Sequence, residues 1–332
     1  MSKVRRVLFL AMVLTFVSCE KEEPLYDFTA KPIVSTQMEI EMGENYTTQT
    51  YVRFSDSSTA SNDFKVWDIA LPSDITKLNV RINDANYAQL TTSARDNMDE
   101  IEAVPVSGWF IDNSCGDKDS CAIGDWYTEK NGEILSKQLV YLIDRGESTP
   151  GSRYFKFQII SFDGNIYKVA FGIHNSSEFV IKEIIINPDK NYNYLNLNTG
   201  ILQHIEPLHK EEWDIVFKPY RHLFLDETPP LPYVVVGALI NPLNVVVNQC
   251  TTVKYDDIDL DYALTPIEYS NDWDVIGFDW KEFDRNTNKY SINPNLSYII
   301  KNSKGVYYKL RFISFYNKFG IKGYPRFEFK QL

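Results

Sequence analysis

The stretch YYKLRFISF (Tyr307–Phe315) has a near-copy earlier in the chain, YFKFQIISF (Tyr154–Phe162). In the earlier stretch Phe155, Phe157 and Ile159 point one way from an extended backbone, while Lys156 and Gln158 point the other. In the later one Tyr308, Leu310 and Phe312 oppose Lys309 and Arg311. Period-two alternation with aromatic residues specifies a half-buried strand. The run YVVVGALINPLNVVVNQ reads as two further strands about the turn Asn241-Pro242-Leu243-Asn244. No stretch holds a 3.6-residue apolar stripe for three turns, so the expected fold class is all-β, with little helix.

The repetition spreads outward from these strands. MEIEM and TYVRFS, between Met38 and Ser55, answer KEIII and NYLNLN, between Lys182 and Asn198. WDIALPSDITKLNV (Trp67–Val80) answers WDIVFKPYRHLFL (Trp213–Leu225), and IGDW (Ile123–Trp126) answers IGFDW (Ile276–Trp280). The offset drifts from 143 (Tyr51 to Tyr194) through 146 (Trp67 to Trp213) to 153 (Tyr154 to Tyr307). Ordered landmarks with a slowly growing offset predict two tandem copies of one β domain, 35–176 and 178–332.

The 332 residues are 44% hydrophobic and 14% aromatic, enough for real cores. The formal net charge is −11. Lys3, Arg5 and Arg6 lie in a segment expected to be removed, which leaves the remainder more acidic still. Such a surface repels phosphate backbones, so no nucleic-acid partner is expected.

MSKVRR, then VLFLAMVLTFV, then SC form a basic region, an apolar core and a small residue before a cut: a signal peptide over 1–18. The apolar run falls short of the ~20 residues that span a bilayer. FVSC resembles the lipobox of bacterial lipoproteins, with Phe16 where Leu is usual, and this implies lipidation at Cys19. The acidic, lysine-containing EKEEP that follows resembles the surface-export signals of some outer-membrane lipoproteins, and 19–34 reads as a tether. An outer-membrane lipoprotein exposed at the cell surface is expected. Cys115 and Cys121 flank the polar turn GDKDS and are disulfide candidates in an oxidising compartment, whereas Cys250 reads as a buried thiol.

The landmarks together resemble the HmuY family of haem-binding bacterial lipoproteins. The segments carrying the likeness are TYVRFS, VWDIAL and FKFQIISFDGNIYKVAF in the first copy. In the second they are YNYLNLNTG, EWDIVF and YYKLRFISFYNKFGIKGYPRFEFKQL. The resemblance implies two tandem HmuY-like β domains. It also implies haem as cofactor, held between two axial His or Met residues ahead of the late strand, and a TonB-dependent outer-membrane transporter as partner.

The chain departs from that pattern. Neither Asp125–Tyr154 nor Asp279–Tyr307 contains a His or a Met; the aligned positions carry Glu133 and Tyr290, then Arg145 and Lys301. The haem-binding candidates are therefore Tyr290, as a tyrosinate assisted by Lys289 or Lys301, with His222 and with Arg221 pairing a propionate. His204 and His209 read as solvated turn residues, His174 as linker, and Trp67 and Trp213 as core aromatics next to a structural Asp. The Asp-rich DNSCGDKDSCAIGDW lacks the glycine of a calcium loop, so no metal site is expected. No nucleophile elbow, HExxH or phosphate loop occurs, so no catalytic residue is expected and the protein is not read as an enzyme. Haem or a related extracellular ligand bound for uptake is the expected function. The alternative is a non-haem binding or adhesion lipoprotein that kept the fold and lost the haem ligands.

Overall fold

A computed structural model of the chain describes residues 34–332, apart from 94, 101, 102 and 148. The expected signal peptide, Cys19 and residues 19–33 of the expected tether lie outside the described residues. The chain opens with β1 (Thr36–Glu39), β2 (Thr48–Arg53), β3 (Ser58–Asp63), β4 (Ile69–Pro72), β5 (Arg81–Ile82) and β6 (Gln89–Thr92). A hairpin, β7 (Tyr127–Lys130) and β8 (Glu133–Ser136), leads into β9 (Val140–Asp144), β10 (Tyr154–Phe162), β11 (Ile166–Ile173) and β12 (Val180–Ile185). Next come β13 (Tyr192–Leu195), β14 (Leu202–Gln203), β15 (Ile215–Phe224), β16 (Leu231–Ile240) and β17 (Val246–Cys250). After the four-residue helix α1 (Leu260–Ala263), a second hairpin pairs β18 (Lys281–Asp284) with β19 (Lys289–Ile292). The last strands are β20 (Ser297–Lys301), β21 (Tyr307–Tyr316) and β22 (Lys322–Gln331). The protein is mainly β, as the alternating aromatics require.

Two five-stranded sheets have the orders β12-β11-β10-β9-β6 and β1-β22-β21-β20-β17. Two four-stranded sheets have the orders β14-β13-β4-β5 and β3-β2-β15-β16. Strand for strand, each pair of sheets follows one plan. Even a break in register recurs, between Ile159 and Ser161 in β10 and between Phe312 and Ser314 in β21.

The opening strands are exchanged between the halves. β1 pairs with β22 (Met38 opposite Phe327) and β2 with β15 (Val52 opposite Ile215). Conversely, β12 pairs with β11 and β13 with β4 (Leu195 opposite Ile69). The cores follow the same division. One joins residues from Ile69 to Leu197. The other joins Ile40, Met42, Val52 and Phe54 to residues from Ile215 to Phe329. Packing therefore divides the fold into 64–203 on one side and 36–63 with 204–332 on the other. The boundary expected between 176 and 178 instead falls between two paired strands, with Phe171 opposite Val180. The cause of that misreading is physical: period-two patterning says which face of a strand is buried and leaves its neighbour unspecified.

Two smaller expectations are also corrected. Lys156 and Lys309 do not face solvent. Lys156 Nζ donates to the carbonyls of Met98, Glu100 and Ser176, and Lys309 Nζ to those of Tyr255, Asp256 and Ile258. Their strands are covered on both faces, each ammonium gathering the carbonyls of the loop laid over it. The Asn241–Asn244 turn does join two strands, but these do not pair with each other. β16 lies beside β15 and β17 beside β20, so the turn is a corner between sheets.

Candidate functional site

The halves meet along a seam of aromatic side chains. Tyr51, Trp67, Ala70, Ile205, Trp213, Val216, Tyr220 and Leu239, drawn from both halves, make one buried cluster. The repeated Trp-Asp pair builds it. Asp68 Oδ2 accepts the N–H of Leu197 at 2.7 Å, and Asp214 Oδ2 accepts that of Phe54 at 2.7 Å. Asp68 Oδ1 also holds Arg145 Nε at 2.8 Å. Consecutive side chains of an extended backbone face opposite ways, so each Asp bonds to an exchanged strand while its Trp turns to the seam. Trp67 lies edge-on to Tyr194 with centroids 5.0 Å apart, and Trp213 edge-on to Tyr51 at 4.9 Å.

A cavity of about 80 Å³ lies among these rings. Its walls include Tyr51, Trp67, Tyr194, Glu206, Trp213 and Trp273. Trp67 and Trp213 are 5% and 4% exposed, yet neither indole N–H has a partner among the described residues. The charged walls, by contrast, are matched. Arg81 Nε lies 3.1 Å from Asp112 Oδ2, and Lys218 Nζ 3.2 Å from Asp84 Oδ1. Glu206 accepts the N–H groups of Asn191 and Tyr192 and the Tyr194 hydroxyl. Burial raises the Glu206 carboxyl above its ordinary value, opposed by those hydrogen bonds. Burial also raises the Tyr51 and Tyr194 phenols well above theirs.

Outside the cavity a groove of about 450 Å³ shares Tyr51, Ile205 and Glu206 as walls. That volume falls within the ~300–1,000 Å³ of ordinary ligand pockets. Ser58, Thr59, Ala60, Ser61 and Asn62 all line it, facing Lys190, His204 and Glu212. Successive residues of a strand point to alternate faces, so a groove touching five in a row runs along the free edge of β3.

The expected site residues lie elsewhere on the second half, and two of them serve the seam. Arg221 is buried, donating to the Ala88 carbonyl at 3.1 Å beneath the ring of Tyr87; burial lowers its pKa. His222 sits between Phe224 and Phe278, with Nδ1 3.7 Å from Asp274 Oδ2, and Ser114 of the other half donates to the same oxygen. Tyr290 is half-buried on β19, its ring 5.0 Å from both Phe283 and Phe315. Burial, then Tyr233 and Tyr316, raise the Tyr290 phenol, the wrong direction for a tyrosinate. The cation over its ring is Lys281, at 5.8 Å, rather than Lys289 or Lys301. Hairpin pairing also makes Ile134, and not Glu133, the counterpart of Tyr290. Arg145 is spent on Asp68, and Lys301 Nζ lies over Tyr307.

These donors do not fit a haem iron held between two neutral side chains. Met42 and Met98 are buried in separate clusters, His204 and His209 are exposed, and the His174 ring lies 5.5 Å from that of Tyr154. Among the described residues no three His, Cys, Asp or Glu side chains converge on a metal position. Cys115, Cys121 and Cys250 are free thiols. Cys121 Sγ accepts from Arg81 Nη1 at 2.8 Å. The seam cavity was missed from sequence, although the Trp-Asp pair repeated at Trp67 and Trp213 was its signal; both were read as core aromatics, which they also are.

The fold and seam define a mainly β protein of two intertwined halves with a ligand-sized recess between them. Residues 242–329 match the family described as HmuY protein, so the resemblance read from the sequence is matched over that segment of the second half. No curated protein matches the chain. Similar solved structures include an apo HmuY analog from Tannerella forsythia, at 9% identity and TM-score 0.27, covering 91% of this chain and 97% of that one. Apo PinO from Porphyromonas gingivitis is 8% identical, with coverages of 90% and 97% and a TM-score of 0.24. A Bacteroides vulgatus protein described as HmuY-like and heme-binding is 12% identical, with coverages of 89% and 90% and a TM-score of 0.20. At such TM-scores no residue role is transferred from them.

Proposed function

We propose that this protein is an exported carrier of HmuY-like build, lipid-anchored through Cys19 at the outer-membrane surface. It captures a small extracellular ligand and hands it to a TonB-dependent transporter. The observation that carries this reading is the recess between the halves: an aromatic-walled cavity that shares Tyr51, Ile205 and Glu206 as walls with a groove of ligand size. The donor set disfavours paired axial haem ligation, so the ligand is held by shape and hydrogen bonds. The match over residues 242–329 favours a second reading, haem bound at Tyr290 with His222 and Arg221 at its edge.

Haemin titration of the soluble fragment from Lys21 separates the two. The first reading gives no saturable Soret shift. A saturable shift that Tyr290→Phe or His222→Ala alters establishes the second.

A further inference from the structure

β3 carries an unused hydrogen-bonding edge where it borders the groove; the step taken here rests on the recess being the ligand site. The Val52 carbonyl accepts the N–H of Asp214, and the Phe54 N–H donates to Asp214 Oδ2. The main-chain groups of these two residues therefore point toward β15. Those of Gln49, Tyr51 and Arg53 point the other way, toward β3, where they lie opposite Asn62, Ala60 and Ser58. By the same alternation the N–H and C=O groups of Thr59 and Ser61 point outward. β3 ends its sheet and, among the described residues, pairs only with β2, so no strand meets them.

The side chains agree. Ser58, Ala60 and Asn62 share a face with Tyr51 and Arg53, and all five line the groove. Thr59 and Ser61 turn to the other face, where Ser61 Oγ meets Thr50 Oγ1 at 2.9 Å. They line the groove through their main-chain edge. Natural edge strands are commonly guarded by Lys, Pro or a bulge, and Ser58–Asn62 holds none of these. The charged walls are already engaged. Arg53 faces Asp56 and Glu212, Lys190 Nζ donates to the Glu206 and Pro207 carbonyls, and Glu206 accepts the N–H groups of Asn191 and Tyr192. A charged ligand would lose hydration there without a free counter-charge. Leu208, 77% exposed, joins Pro207 and Ala60 as apolar lining. At roughly 3.3 Å per residue, the five β3 positions match a peptide of about five or six residues.

We propose that the groove binds an extended, uncharged oligopeptide that adds to β3 as a further strand. Its main chain bonds to the outward N–H and C=O groups of Thr59 and Ser61, and alternate side chains lie against Ala60 and Leu208.

The test uses the mature chain and a mixture of acetylated, amidated hexapeptides built from Ala, Leu, Ser, Thr, Tyr and Val. The expected result is saturable binding that slows hydrogen exchange at the Thr59 and Ser61 amides by about tenfold or more. The Ser58 and Ala60 amides, already turned to β2, change little. Thr59→Pro removes one outward donor at an edge position that tolerates Pro, and weakens binding about tenfold. If the mixture does not bind saturably, the proposal is overturned; a haemin titration of the same sample then shows whether the carrier reading survives with haem as ligand. If peptide binds while exchange at Thr59 and Ser61 is unchanged, the site is wrong and the carrier reading stands. If both amides are protected without peptide and the chain sediments as a dimer, a second copy covers the edge and the proposal is likewise overturned. Exchange is read on the unaltered protein, so a poorly folded variant does not remove the test.

Discussion

Phe54 donates its backbone N–H to Asp214 Oδ2 at 2.7 Å, although the two residues belong to different sequence repeats. Its mirror contact, Leu197 N–H to Asp68 Oδ2, has the same length. Each carboxylate anchors a strand arriving from the other repeat. A buried carboxylate that accepts backbone N–H groups is well placed to fix a strand where hydrophobic alternation alone would allow several neighbours.

Truncating the exchanged strands should therefore weaken the half they enter rather than the repeat they belong to. Phe54→Ala removes a ring packed against Tyr308 and Phe329. It should cost about 3–5 kcal/mol, with hydrogen exchange rising first in β20, β21 and β22. Leu197→Ala should cost about 2–5 kcal/mol and expose β9, β10 and β11 first. The opposite pattern of exchange would refute the strand assignment.

Lys281 gives the fold a distinctive pH dependence. Its ammonium lies 4.4 Å from the Trp280 centroid and 5.0 Å from that of Phe315, and burial lowers its pKa to about 7 against a smaller opposing pull from Asp279. Below about pH 7 folded and unfolded chains both hold the proton, and this group contributes no slope. Above it the unfolded chain keeps a proton that the folded chain has lost, so stability rises by roughly 1 kcal/mol per pH unit toward the ordinary lysine value. Near pH 10 the buried phenols of Tyr220 and Tyr298, raised by burial, act in the opposite direction, so the rise is best read between about pH 7 and 9. Lys281→Met should flatten it. Urea midpoints across that range, measured for both proteins, decide the matter, and equal slopes would count against the assignment.

The anchor is tested in the cell. Cys19→Ala should abolish acylation and move the protein from the membrane to the soluble fraction, because acyl chains supply the membrane affinity. Unchanged fractionation would remove the lipoprotein reading. Among the described residues no helix is long and apolar enough to cross a membrane.

How much of this was legible differs by level. The aromatic alternation in YFKFQIISF and YYKLRFISF is a local property, and it led to the strands and to the recurrence of the plan. Partner choice is not local: nothing in MEIEM distinguishes pairing with β22 from pairing within its own repeat. Lys156 and Lys309 misled for a related reason, since a loop distant in sequence covers the face on which they lie. Arg221 and His222 were singled out for their chemistry, and neither lines the cavity or the groove. Their partners Ala88 and Asp274, however, come from segments that no spacing rule connects to them. The seam cavity becomes visible only when Trp67 and Trp213 are seen to line it together.

The exchange of opening strands is most directly tested by comparing two fragments of similar length, 64–203 and 35–176. The first holds the complete strand set of one half, including β12 and β13; the second carries β1, β2 and β3 without the sheets they complete. Fragment 64–203 should give β-type circular dichroism and a cooperative melt, while 35–176 should be far less stable or fail to melt cooperatively. A cooperative melt for 35–176 with none for 64–203 would contradict the account and restore the two repeats as self-contained domains.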